Sequence, residues 1–112
     1  MSNFVFAPRL GQEATIFAFE TVTVAGTAIG GTAGTYVPAT YGPACRAFMT
    51  VETASLRWRC DGTAPTATVG HLAVAGDSIE IEGIANVANF KAIKVTDNAT
   101  LQISYSRLQT GA

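Results

Sequence analysis

The amino-acid sequence predicts an all-β chain, an antiparallel β-sandwich of about eight short strands with jelly-roll-like character. Three observations carry this expectation. No stretch holds apolar residues at helical spacing, whereas alternation with a period of two recurs along the chain. The alternating segments are rich in Val, Ile, Thr, Phe and Tyr, which suit a pleated, half-buried surface. Clusters of Gly, Pro, Asp and Asn cut the chain at intervals of roughly 8–12 residues, the rhythm of sandwiches and barrels. The 112 residues suit one domain, and neither an internal repeat nor a break in composition divides them.

The elements follow in order. Phe4 and Phe6 alternate weakly before Pro8, and residues 1–11 read as an N-terminal arm. Residues 14–24 form a long strand with Ile16, Ala18, Glu20, Val22 and Val24 on one face and Phe17, Phe19, Thr21 and Thr23 on the other. Neither face is cleanly polar, so both are expected to be partly covered. Residues 25–43 contain Gly26, Gly30, Gly31, Gly34, Gly42, Pro38 and Pro43, and no charged residue. Such a composition is flexible in isolation, yet Ile29, Tyr36, Val37 and Tyr41 would be wasted on a spacer. The segment reads as a long loop with a short strand at Thr35-Tyr36-Val37. Long loops in small domains tend to be functional or disordered, and one without charge suits packing against another protein.

Strands then come quickly. Residues 44–52 place Cys45, Ala47, Met49 and Val51 on one face and Arg46, Phe48, Thr50 and Glu52 on the other. Residues 55–60 turn Leu56, Trp58 and Cys60 inward and Arg57 and Arg59 outward. Asp61-Gly62-Thr63-Ala64-Pro65-Thr66 is a turn, because Asp bonds the backbone ahead of it, Gly accepts positive φ and Pro fixes φ. A shorter strand spans residues 68–74, and Ala75-Gly76-Asp77 turns into a strand at residues 78–83 with Ile79 and Ile81 inward. Residues 84–89 hold a turn or a single helical turn. Residues 90–95 are extended, Thr96-Asp97-Asn98 turns, and residues 100–107 place Leu101, Ile103 and Tyr105 inward with Thr100, Gln102, Ser104 and Ser106 outward. Residues 108–112 are expected to fray.

Composition limits function. Hydrophobic residues make up 48% and charged residues 13%, about half the usual charged share. That balance excludes intrinsic disorder. It also leaves a surface of Thr, Ser, Ala and Gly that solvates poorly, so partners or a homo-oligomer are expected. With a net charge of −1 and scattered basic residues there is no footprint for nucleic acid. No apolar run approaches the roughly 20 residues of a membrane span. The N-terminus lacks a basic region followed by a long apolar one, so folding in a cytosol is expected.

Chemistry-bearing residues concentrate between Leu56 and His71, a stretch with the only Trp, the only His and one of two Cys. Asp61 is explained by the turn without a role as acid or ligand. His71 has no second His and no Gly-x-Ser-x-Gly partner, so a structural hydrogen bond to Asp61 is expected rather than catalysis. Glu80 and Glu82, at i and i+2, lie about 7 Å apart, a separation that glycoside hydrolysis tolerates. They lack an aromatic platform, however, and read as a charged strand edge. A small hydrolase built on Asp61, His71, Glu80 and Glu82 is the enzymatic alternative. Cys45 and Cys60 read as buried thiols, a disulfide being open only if their strands are neighbours. Two Cys and one His do not close a zinc site, and the Gly-rich stretch lacks the Lys of a phosphate loop. No catalytic, cofactor or metal residue is therefore expected, and no enzymatic activity. Arg57 and Arg59 read either as a solvated face paired with Glu52, Glu80 or Glu82 or as an intersubunit contact. Partner contacts are expected at Phe4, Phe6, Ile29, Tyr36, Val37, Tyr41, Arg57 and Arg59.

The series Val51-Glu52-Thr53-Ala54-Ser55-Leu56-Arg57-Trp58-Arg59, Asp61-Gly62-Thr63-Ala64-Pro65-Thr66, Gly70-His71, Gly76-Asp77, Asn89-Phe90-Lys91-Ala92-Ile93 and Ala99-Thr100-Leu101-Gln102-Ile103-Ser104-Tyr105 resembles small structural β-proteins of tailed phages. The resemblance spans residues 51–105, half the chain, and carries over no site residues. It implies a non-enzymatic virion protein, first of all a capsid decoration or cement protein. Its partners would be the major capsid protein or other virion proteins, and its own form a homo-oligomer, a trimer at capsid three-folds. It would be assembled in the host cytoplasm and reside in the virion. Residues 2–11 and 25–43 would be arms that order on binding. The alternatives are a tail or neck component, or a host-recognition module binding carbohydrate through Tyr36 and Tyr41.

Overall fold

Strand formation follows the alternation wherever one parity of residues finds a shared core. The computed structural model describes residues 12–38 and 42–110. Seven strands lie among them: β1 (Gln12–Val24), β2 (Arg46–Glu52), β3 (Leu56–Arg59), β4 (His71–Ala73), β5 (Ser78–Glu82), β6 (Lys91–Lys94) and β7 (Ala99–Thr110). Two short helical segments, α1 (Ala33–Tyr36) and α2 (Ile84–Asn89), interrupt the series. One antiparallel sheet has the order β1-β7-β2-β5, the other β4-β3-β6.

The pairings nest. β1 pairs with β7, an isolated bridge at Ile29 pairs with Ala92 of β6, β2 pairs with β5, and β3 pairs with β4. First thus meets last and the order closes inward, as in one long hairpin whose tip is the β3–β4 connection. Rolling that hairpin over itself adds the two remaining contacts, β7 on β2 and β6 on β3.

Both sheets face one core. Val22, Val24, Ala47, Met49, Val51, Ile79, Ile81, Leu101, Ile103 and Tyr105 come from the four-stranded sheet, and Leu56, Ala73 and Ala92 from the other. Each large side chain buried in this way stabilises the fold by about 1.5–3 kcal/mol. The inward series read from the sequence for β2, β5 and β7 are the buried ones. Ser106 faces outward as expected yet is buried beneath its neighbours, and its carbonyl accepts a hydrogen bond from the Cys45 N–H at 2.9 Å. Cys45 and Cys60 are half-buried free thiols rather than fully buried ones. They flank strands of different sheets, Cys45 just before β2 and Cys60 just after β3.

The Gly-rich segment departs most from expectation. Thr35-Tyr36-Val37 is not a strand: Ala33–Tyr36 is a helical turn, in which Tyr36 N–H bonds Thr32 O at 3.1 Å and Val37 N–H bonds Ala33 O at 2.8 Å. The turn is anchored because the Glu20 carboxylate accepts both the Thr32 N–H (2.9 Å) and the Thr32 hydroxyl (2.7 Å). Two of the glycines, Gly30 and Gly31, serve close approach rather than flexibility. A Cβ on Gly30 would collide with the Phe90 carbonyl oxygen, and one on Gly31 with the Tyr105 hydroxyl. The chain crosses there because nothing but glycine fits between it and the layer beneath. The weak strand at Phe4 and Phe6, and the arm of residues 1–11, lie outside the described residues.

Candidate partner-binding surface

The outer face of the four-stranded sheet is built in rows, since residues paired across strands share a face. One row runs Phe19, Ser104, Phe48, Glu80; the next runs Ile16, Ser106, Arg46, Glu82. Ile16 belongs here because the β1 register shifts between Ile16 and Ala18. The extra residue of this β-bulge inverts the alternation. Phe17 now packs against the core, and Ile16, placed by the sequence with Ala18 and Glu20, points to solvent. Leu108, two residues beyond Ser106 on β7, extends the patch.

Four large apolar side chains are thus exposed together: Ile16 (65%), Phe19 (60%), Phe48 (47%) and Leu108 (48%). Ser104 separates the two phenylalanines, whose strands lie about 10 Å apart, at about 4.8 Å per strand step. Phe19 and Phe48 therefore flank a shallow trough. Arg46 borders it, ion-paired to Glu80 and 4.0 Å from Glu82. On the side toward the β6–β7 connection the face is polar: the Thr21 hydroxyl donates to Gln102 Oε1 at 2.7 Å, and Gln102 Nε2 donates to Glu52 at 3.2 Å.

Behind the sheet, Tyr105 carries the one long-range phenol–carboxylate bond among the described residues, its hydroxyl donating to Glu20 Oε2 at 2.7 Å. Burial, then the Glu20 carboxylate, push the Tyr105 phenol above its ordinary pKa. Tyr36 leans on Tyr105 with ring centroids 5.8 Å apart.

A second feature lies at the end of the sheets where β2 crosses to β3 and β6 to β7. Thr53 has φ of 81°, and Ala54 N–H bonds Glu52 O at 3.0 Å across it. This is the strained hand of γ-turn, costly for a β-branched residue by about 1–3 kcal/mol. Thr53, Ala54, Ser55, Val95, Thr96 and Asp97 line an open cleft of about 290 Å³. Among the described residues, none of the Thr53, Ser55, Thr96 and Asp97 side chains has a hydrogen-bond partner.

Compared with known protein families, curated proteins and solved structures, the chain matches none. Its site must therefore be read from its own residues.

Several sequence expectations are redirected by the geometry. Arg57 is not a free contact: its Nε donates to Ala67 O (3.2 Å) and its Nη1 to Gly70 O (3.0 Å), pinning the β3–β4 connection. Arg59 forms a two-pronged pair with Asp61, which it holds below the usual carboxylate range. Neither arginine reaches Glu52, Glu80 or Glu82, because those residues belong to the other sheet. Asp61 therefore does not meet His71. His71 lies instead against Trp58 at 4.8 Å between ring centroids, and Trp58 lies against Phe90 at 5.9 Å. Burial, and then the charge of Asp61, raise the Cys60 thiol, the direction opposite to a nucleophile's. Ile29 (42%) and Val37 (46%) expose their side chains, although Ile29 is bonded through its backbone to Ala92. Tyr36 is half-buried on Tyr105 and offers no free ring. Phe4, Phe6 and Tyr41 lie outside the described residues. No three His, Cys, Asp or Glu gather among the described residues as a metal site requires, and no helix there is long and apolar enough to cross a membrane.

Ile16, Phe19, Phe48 and Leu108 were not among the expected contacts. The signal for them was present. Residues 14–24 are apolar at both parities, and Phe48 interrupts an otherwise polar outward series.

Proposed function

We propose that this protein is a non-enzymatic structural component of a phage particle, a decoration or cement protein that stabilises the head by protein–protein contact. Its partners are the major capsid protein or other virion proteins, and it acts as a homo-oligomer, a trimer at capsid three-folds. The observation that carries this reading is the flat sheet face on which Ile16, Phe19 and Phe48 stand exposed together. Exposed apolar side chains gathered in one patch and rimmed by polar residues mark interaction sites, unlike apolar residues scattered singly. The neutral Ser and Thr around them cost little to desolvate compared with charges.

The nested strand pairing supports a jelly-roll reading. With the bridge at Ile29 counted as a vestigial second strand, the sheets have the orders 1-8-3-6 and 2-7-4-5. Counted so, the orders agree with those of the eight-stranded double-sheet roll, an architecture that capsid and lectin domains share. A non-enzymatic role is favoured because the groups a hydrolase would need are engaged elsewhere: Asp61 by Arg59, Glu80 by Arg46, His71 against Trp58.

The test is co-sedimentation of purified protein with expanded, undecorated capsids, followed by heating of the complex. Wild type is expected to bind at micromolar concentration and raise the temperature of capsid disruption, and the Phe19→Ser/Phe48→Ser variant to remain in the supernatant. Wild type that stays unbound, or a variant that binds equally, overturns the reading.

A further inference from the structure

We propose that the cleft between the β2–β3 and β6–β7 connections is a binding site for one neutral sugar residue. Three hydroxyl-bearing residues (Thr53, Ser55, Thr96) and Asp97 line it, and none of their side chains is hydrogen-bonded within the protein. Some side-chain oxygens elsewhere on the surface are engaged within the protein, as in Thr21–Gln102–Glu52, Thr32–Glu20 and Asp77, whose carboxylate accepts the Val74 N–H. What distinguishes the cleft is that four side chains without such bonds line a single concavity.

The donor set selects the ligand. A lone carboxylate with no cation beside it repels phosphates and carboxylates. One carboxylate with hydroxyls is also too little charge for a divalent cation, which takes several carboxylate or carbonyl oxygens. Vicinal hydroxyls fit, because the Asp97 carboxylate accepts from two of them while Ser and Thr both donate and accept. Ala54 and Val95 supply a small apolar floor for the C–H face of a ring. A volume of about 290 Å³ is at the lower limit of ligand pockets, room for a single ring and no more.

The strain at Thr53 gives the second line of argument. A turn with φ of 81° is a glycine position, and glycine there would relieve the backbone. A threonine there carries a stability cost and places an unpaired hydroxyl-bearing side chain at the rim of the cleft. The site also lies about five strand residues, roughly 16 Å, from Phe48. A protein held by its apolar sheet face would therefore leave this end of the sheets uncovered. The sugar site does not depend on the decoration reading, and either can fail alone.

The experiment is a two-dimensional amide NMR titration of the full chain with D-glucose, D-galactose, D-mannose and N-acetylglucosamine, with glycerol as an open-chain control. At least one sugar is expected to give saturable, millimolar shifts confined to residues 53–55 and 95–97. Asp97→Asn should weaken that binding roughly tenfold, the worth of one charge-assisted hydrogen bond. Thr53→Gly should raise Tm by a few degrees and lose affinity, a split that a purely architectural turn would not produce. The proposal is overturned if no sugar shifts these amides, if glycerol shifts them equally, or if Asp97→Asn and Thr53→Gly bind like wild type.

Discussion

Replacing Gly30 by alanine tests whether the Gly-rich segment is a spacer or a fitted strap. The φ of Gly30 is not in the left-handed region, so alanine carries no backbone strain there and the effect is steric. Its Cβ collides with the carbonyl oxygen of Phe90, a backbone atom that cannot swing aside. Relief requires the segment to lift from β6, which breaks the Ile29 N–H to Ala92 O bond (2.9 Å) and its reciprocal (2.8 Å). Two backbone bonds at about 1 kcal/mol each and overpacking at about 1–3 kcal/mol sum to about 3–5 kcal/mol. For a chain of this length that lowers Tm by roughly 12–20 °C. Gly34 is the control: it lies in α1 and nothing stands within 4 Å of its added Cβ. Gly34→Ala should be neutral or stabilise by up to about 1 kcal/mol. Urea and thermal unfolding followed by circular dichroism would measure both. If the two variants behave alike, or if Gly30→Ala stays within about 1 kcal/mol of wild type, the strap reading is wrong.

Tyr105→Phe should cost about 1–2 kcal/mol by leaving Glu20 with Thr32 alone. It should also change the alkaline limb. The folded-state phenol is raised above its unfolded value of about 10, so its contribution is complete below that pH and lost as pH rises beyond it. Unfolding curves at increasing alkaline pH should fall for wild type and stay flatter for the variant. Arg57→Ala should cost about 1–2 kcal/mol by releasing the Ala67 and Gly70 carbonyls, with amide exchange quickening selectively at residues 66–70. Phe19→Ser/Phe48→Ser should unfold within about 1 kcal/mol of wild type, since both rings are exposed, while slowing self-association in sedimentation velocity.

The fold was legible where one parity of residues is purely apolar. Met49 and Val51, Ile79 and Ile81, and Leu101 and Ile103 declare their inward face because every alternate neighbour is polar or charged, Phe48 excepted. Parity failed in β1, where Ile16, Phe17, Ala18 and Phe19 offer no polar residue to set the phase and a bulge is invisible to alternation. Composition misled at residues 25–38, where glycine stands for absent space rather than absent structure: only the folded neighbours Phe90 and Tyr105 reveal the constraint. The pairing of Arg59 with Asp61 across two residues was open to inspection in the sequence. The expectation of a cross-turn Asp61–His71 bond overlooked that a guanidinium two residues away offers the carboxylate two parallel charge-assisted bonds at once.

The bulge at Phe17 links fold to function more directly than any charged residue does. An unpaired strand edge invites uncontrolled strand addition, and proteins blunt edges with charge or with bulges. The four-stranded sheet uses one device on each side: Glu80 and Glu82 project from the short edge strand β5, and the register shift between Ile16 and Ala18 interrupts the long edge strand β1. Growth of the sheet by edge pairing is thereby disfavoured in both directions. The same register shift turns Ile16 outward beside Phe19, so that the apolar surface removed from the core appears on the face instead. Edges closed and face open is the arrangement expected of a module that docks onto a preformed surface at fixed stoichiometry rather than polymerising. Deleting Phe17 should accordingly make the register continuous, with Ile16 still opposite Ser106 on the outer face, so that the edge defect is lost while the patch stays and the protein gains a tendency to associate edge to edge.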